Sequence, residues 1–206
     1  GGRGANAKYY LYVGRPDRGD DDKVTAEMGF GDEGDMVYAK LTATAYLCMG
    51  VGEGSLPAFP PLPEKIRTFL QGGSGHQVQK PGGSTSPEQN AQAITQFLKS
   101  NATGGLMFGA AVDAKLGLDF LIFYAKANGM IGFDLAMVET KPGKTGACNV
   151  DGAIGYNGYY AIGQLYAYFG MDVGVHLGAG DLPLVSLQLG AYLRGGLPNP
   201  TWGEGM

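Results

Sequence analysis

Leu106 to Tyr124 reads LMFGAAVDAKLGLDFLIFY. Its even positions are Leu106, Phe108, Ala110, Val112, Ala114, Leu116, Leu118, Phe120, Ile122 and Tyr124, every one of them apolar. The odd positions carry Gly109, Asp113, Lys115, Gly117 and Asp119, a mixed face. Strict period two marks a strand, because successive side chains leave a strand on opposite sides. The clean apolar face is expected to be buried core, so lysine at Leu116 and Leu118 is expected to wreck the fold. One strand of this length would span about 60 Å, well beyond the usual strand. Either a bend near Gly117 or an unusually tall sheet is therefore expected. Asn128-Gly129 is the preferred two-residue hairpin pair, which places the next turn there, before Met130–Val138.

The same alternation recurs on both sides of this stretch. In Met36–Val51 the odd positions run Val37, Ala39, Leu41, Ala43, Ala45, Leu47, Met49, Val51 against Tyr38, Lys40, Thr42, Thr44 and Tyr46. Tyr159–Leu177 and Leu184–Arg194 repeat it. KYYLYV at Lys8–Val13 and the run Val24–Phe30 add shorter strand signals. About seven strands follow from this pattern, antiparallel because the turns between them are short. The expected class is all-β, with long antiparallel strands forming an extended sheet or β-scaffold. Residues 1–51 form a first strand group and 105–206 a second in the same sheet. Residues 52–104 form a Pro/Gly-rich insertion. Within it, LPAFPPLP (Leu56–Pro63) must be extended and Glu64–Leu70 suits a short helix. A helix near 87–100 is expected as well, capped by Ser86 with Pro87 in its first turn.

Glycine contributes 37 of 206 residues with no strict triplet period, so collagen is excluded. Net charge is −4, and Lys and Arg are scattered singly, which argues against nucleic acid as a partner. No apolar run reaches the 18 or so residues of a membrane-spanning helix. Neither end resembles a natural start or stop, and both read as cuts in a longer polypeptide. The two cysteines, Cys48 and Cys148, lack the spacing of a zinc or redox motif. As a disulfide they would stabilise by about 4–5 kcal/mol in chain-entropy terms. Two buried thiols are the alternative.

No catalytic constellation stands out, and neither enzyme activity nor a cofactor is expected. His176 alternates with Asp172 on a polar strand face, but residues four apart on a strand are separated by about 13 Å, too far to share a metal. His76 sits in the Gly-rich loop. Asp113, Asp119 and Asp134 would serve glycoside hydrolysis only if two of them approached to about 5–9.5 Å. Asp113 and Lys115 are more simply charges on an exposed side. The acidic runs Asp20-Asp21-Asp22 and Asp32-Glu33-Gly34-Asp35 lack the ligand spacing of known calcium loops. The twelve tyrosines lie mostly on strands, where cross-strand aromatic pairs stabilise sheets. Tyr166, Tyr168 and Tyr192 are candidates for partner contact, since tyrosine joins an apolar ring to a polar tip.

AKYYLYVG (Ala7–Gly14), PAFPPLPEKI (Pro57–Ile66), the stretch Gly105–Glu139, NGYYAIGQLYAYFGMDVGV (Asn157–Val175) and AYLRGGLPNPTWGEGM (Ala191–Met206) occur in this order. Together they resemble a region of very large exported proteins of the Bacteroidota, TANFOR-type, with fibronectin-like modules. The resemblance implies an extracellular or cell-surface protein and carries no catalytic residues. The expected role is a structural or assembly module, paired with other segments or copies of the same protein and able to form filaments. An outer-membrane β-barrel segment and a glycan- or peptide-binding module are the alternatives. A membrane partner is expected only in the barrel case.

Overall fold

The computed structural model describes residues 8–16, 22–72, 102–140, 155–177, 180–198 and 201–206. The elements are β1 (Tyr9–Val13), β2 (Val24–Phe30), β3 (Val37–Val51), α1 (Glu64–Gly72), β4 (Ala102–Phe120), β5 (Phe123–Thr140), β6 (Tyr159–Leu177), β7 (Gly180–Leu197) and β8 (Trp202–Gly205). The strands form one eight-stranded antiparallel sheet, the all-β class expected from the alternation, and α1 falls where Glu64–Leu70 suited a short helix. Strand order is β1-β3-β4-β5-β6-β7-β8, and β2 lies beyond β1 on the same edge of β3. The helix expected near 87–100 falls outside the described residues.

The long strands β3 to β7 run 15 to 19 residues each. They stay in register because one period-two pattern continues from strand to strand. Ala43 faces Val112, Val112 faces Ile131, Ile131 faces Ala167, and Ala167 faces Ala191. A slip of one residue would flip every side chain to the other side. The sheet is the tall one that the length of Leu106–Tyr124 demanded, without a bend at Gly117.

The hairpin expected at Asn128-Gly129 is not there. β4 ends at Phe120, and the chain turns at Leu121-Ile122, with Leu121 at φ 56. Asn128 and Gly129 sit inside β5, opposite Lys115 and Ala114. Turning at Leu121 lets every residue from Phe123 onward pair with β4. A two-residue turn at Asn128-Gly129 would have set Gly117 opposite Thr140, where β5 ends, and left the earlier rungs of β4 without partners in β5; the gain from full pairing exceeds the local preference of Asn-Gly.

The larger correction concerns the core. The all-apolar face of β4 is the uncovered one: Leu116 is 55% and Leu118 49% exposed. Apart from Gly104, no residue of that face is buried on any of the long strands. The buried side chains lie on the opposite, mixed face: Tyr46, Cys48, Met107, Ala136, Val138, Tyr160 and Ile162 form the core, with Tyr12, Leu56, Phe59 and Trp202 packed against it. Gly52 to Gly72 crosses this face, first as the extended Pro-rich segment and then as α1, whose Ile66 is fully buried. The charges expected on an exposed side are therefore partly covered. Asp113 is held by Lys65 of α1 and Lys115 by Glu33.

Glycine and tyrosine pair across the strands of the covered face. Tyr38 opposes Gly117, Tyr46 opposes Gly109, Tyr166 opposes Gly132, and Tyr124 opposes Gly174. Each ring lies over its glycine. A Cβ at Gly132 would come within 2.7 Å of the Tyr166 ring, and one at Gly174 within 2.6 Å of Tyr124. At Gly129, on the uncovered face, the nearest atom would be 3.7 Å away. Gly132→Ala is expected to destabilise the fold by about 1–3 kcal/mol through overpacking. Gly129→Ala should change stability by under about 0.5 kcal/mol or raise it. Denaturant unfolding of both variants checks the contrast.

Candidate functional site

The covered face carries a transverse row of polar side chains, one strand after another. Tyr46 of β3, Asp134 of β5, Gln164 of β6, Arg194 of β7 and Glu204 of β8 occupy one rung, with Gly109 of β4 leaving room beneath Tyr46 and Asp134. The Tyr46 hydroxyl donates to Asp134 Oδ1 at 2.8 Å, and Gln164 Nε2 donates to Asp134 Oδ2 at 2.8 Å. The same Gln164 nitrogen donates to the Pro60 carbonyl at 3.2 Å. Arg194 stacks its guanidinium 5.5 Å from the Phe59 ring centroid. The row thus fastens the Pro-rich segment to the sheet. A second fastening is the Tyr12 hydroxyl, which donates to the Ser55 carbonyl. A third is Phe69 of α1, edge-on to Tyr168 with ring centroids 6.0 Å apart.

Burial dominates the electrostatics of the row. It pushes the Asp134 carboxyl above the usual carboxylate range, and the hydrogen bonds from Gln164 and Tyr46 only partly offset this. It pushes Tyr46 up, reinforced by the Asp134 charge, so the phenol stays a donor. It pulls Arg194 down. Beside the row, between the Pro-rich segment and the sheet, lies a cavity of about 1050 Å³ lined by Thr42, Thr44, Pro61, Asp113, Asp134 and Tyr166 among others. A second space of about 690 Å³ opens under α1 beside Phe69, Asn128, Tyr168 and Gln188.

The carboxylates singled out from the sequence serve three separate partnerships. Asp134 belongs to the row, Asp113 to Lys65 at 2.5 Å, and Asp119 to His176. Asp134 opposes Gly109, four residues along β4 from Asp113, so the two are about 13 Å apart along the strand, beyond the separation glycoside hydrolysis uses. His176 does not join Asp172. Its Nε2 lies 2.8 Å from Asp119 and its Nδ1 2.6 Å from Asp181, a clasp across β4, β6 and β7. Sequence spacing could not reveal the Asp119 side of that clasp, because Asp119 and His176 are 57 residues apart. Glu33 of the acidic turn pairs with Lys115, and Asp35 accepts the backbone N–H of Asp32. Among the described residues no group of three or more His, Cys, Asp or Glu is placed to hold a metal ion.

Tyr166 is buried on the covered face and lines the larger cavity; Tyr168 and Tyr192 are half-buried on the same face. Cys48 is buried, its Sγ 3.6 Å from the Gly14 carbonyl oxygen, while Cys148 and His76 lie outside the described residues. No protein-family signature, curated protein or solved structure matches this chain.

Two titrations test the site. The Asp134 carboxyl is raised, so the folded state favours its proton. The stability it contributes is full below the unfolded carboxyl value and is lost as pH rises through its folded value. Asp134→Asn should remove that loss from the stability–pH profile measured by urea unfolding. His176 is raised by the hydrogen bonds it donates to Asp181 and then Asp119, so the clasp is complete below the usual histidine range and weakens as pH rises through its folded value. NMR titration of the imidazole should show a downward shift in Asp181→Asn, toward the ordinary histidine value of about 6.5.

Proposed function

We propose that this chain is a structural sheet module of an exported, surface-associated protein, and that its uncovered apolar face lies against lipid hydrocarbon as part of a β-barrel wall. A single observation carries the reading. Between the row of Leu106 and the row of Phe120, the uncovered face of the long strands holds no charged residue. Large exposed apolar patches on soluble proteins rarely exceed a few hundred Å², and this one runs across β3 to β7. Apolar outside and polar inside, alternating along every strand, is the pattern of membrane β-barrels.

Dimensions and belts agree with this. From Leu106 to Leu118 the rows rise about 40 Å along the strands, or about 28 Å across a bilayer at 45° tilt, close to the hydrocarbon thickness of about 30 Å. At one end this face closes with Tyr9, Glu139 and Tyr159 in a single rung. Tyrosine and charge at that height suit the membrane–water interface. The mid-strand tyrosines are on the covered side. The Pro-rich segment and α1 then sit where a lumenal plug would. The likeness to exported Bacteroidota proteins supports the same setting.

Vesicle flotation tests the reading. The wild-type protein should float with phosphatidylethanolamine/phosphatidylglycerol vesicles and stay bound after a urea wash. Ile131→Lys places a charge at mid-height of the uncovered face and should cost about 2–4 kcal/mol of insertion, abolishing flotation while leaving the far-UV spectrum in detergent intact. Discrete, detergent-free particles that ignore vesicles would reject the lipid contact and favour a protein cover for this face.

A further inference from the structure

We propose that the open edge of β7 docks the β2 edge of a second copy of this chain, extending the sheet from copy to copy. β8 covers only the end of β7, from Leu193 to Gly196. Tyr192 then exchanges both backbone hydrogen bonds with Met206, at 2.9 and 3.0 Å. In an antiparallel ladder this outward bonding recurs at every second residue. The N–H and C=O groups of Gly190, Gln188 and Ser186 therefore point away from β6, and among the described residues no strand meets them. Natural sheet edges are protected by charges, prolines or cover. Leu184 to Ala191 contains neither charge nor proline, and Gly180 to Leu189 is exposed throughout.

The other edge of the sheet supplies a matching strand. Every residue of β2 is exposed. Successive pairings from β2 through β3 to β7 are all antiparallel, so β2 runs opposite to β7. A second copy placed beside the first in the same sense thus continues the ladder without reversing it. Val24, Ala26, Met28 and Phe30 share the uncovered face with Leu187 and Leu189, so that face passes unbroken from copy to copy. The one charge on β2, Glu27, lies on the other side, 3.1 Å from Lys40 of its own sheet. Such a contact joins unlike edges and leaves one of each free, so it builds rings or filaments and does not stop at a pair. It requires only backbone pairing and does not depend on what covers the apolar face.

The test is native mass spectrometry of the full chain in detergent micelles across a concentration series. The expected result is a ladder of trimers and larger species that grows with concentration. Gln188→Pro deletes an outward N–H while sparing the bonds from β7 to β6, and should weaken association by about tenfold or more. Ser186→Lys places a charge beside the same edge and should act likewise if the proline variant fails to fold. Single copies at every concentration, or folded variants that assemble like the wild type, would overturn the proposal. So would assembly that stops at a dimer, the outcome of β7 pairing with β7 about a two-fold axis. Vesicle flotation reads the lipid contact separately, so the two ideas fail independently.

Discussion

An aromatic ring can lie flat on a sheet only where the residue beneath it has no side chain. That constraint organises the covered face. Tyr38, Tyr46, Tyr124 and Tyr166 each lie over a glycine in the rung they share. The rings fill the space a normal side chain would occupy and shield the backbone below. Because each pair is specific to its rung, it also locks neighbouring strands in register. The unusual glycine content thus reflects close approach between strands, not flexibility. A rigid, tall sheet follows, and the Pro-rich segment can settle on it because the rings leave a shallow, shaped surface.

The polar row follows from the same packing. Gly109 removes a side chain between Tyr46 and Asp134, so phenol and carboxyl meet across an intervening strand. Gln164 then bridges Asp134 to the Pro60 carbonyl. One buried carboxyl holds two donors, and one amide ties the sheet to its cover. Losing the carboxyl would leave buried groups unpartnered, which costs more than the bonds themselves contribute. The arrangement fits a face that is mixed and partly covered, opposite one that is open and apolar. That inversion is the property the proposed lipid contact explains.

Strand identity is legible in the sequence, because period two is a local property of a pleated chain. Leu106–Phe120, Val37–Val51, Tyr159–Leu177 and most of Gly180–Leu197 declare themselves as strands through their own residues. The hairpin at Asn128-Gly129 was misread because a local turn preference of Asn-Gly competes with the pairing of an entire strand. The Asp119–His176 and Tyr46–Asp134 contacts were hidden, since their members are 57 and 88 residues apart in sequence. The glycine–tyrosine pairs were hidden as well, because which glycine lies opposite which tyrosine is settled only by the strand register.

The residues alone therefore determined the class of fold, the height of the strands and the division of each strand into an apolar and a mixed face. Alternation is set by backbone geometry and needs no partner. Which face is covered was decided only by tertiary structure. Apolar side chains are driven from water, yet the chain must also accommodate glycine, tyrosine and a proline-rich segment that fit one another. In this sheet that fit lies on the mixed side, and the apolar side remains open to whatever apolar surroundings the protein meets.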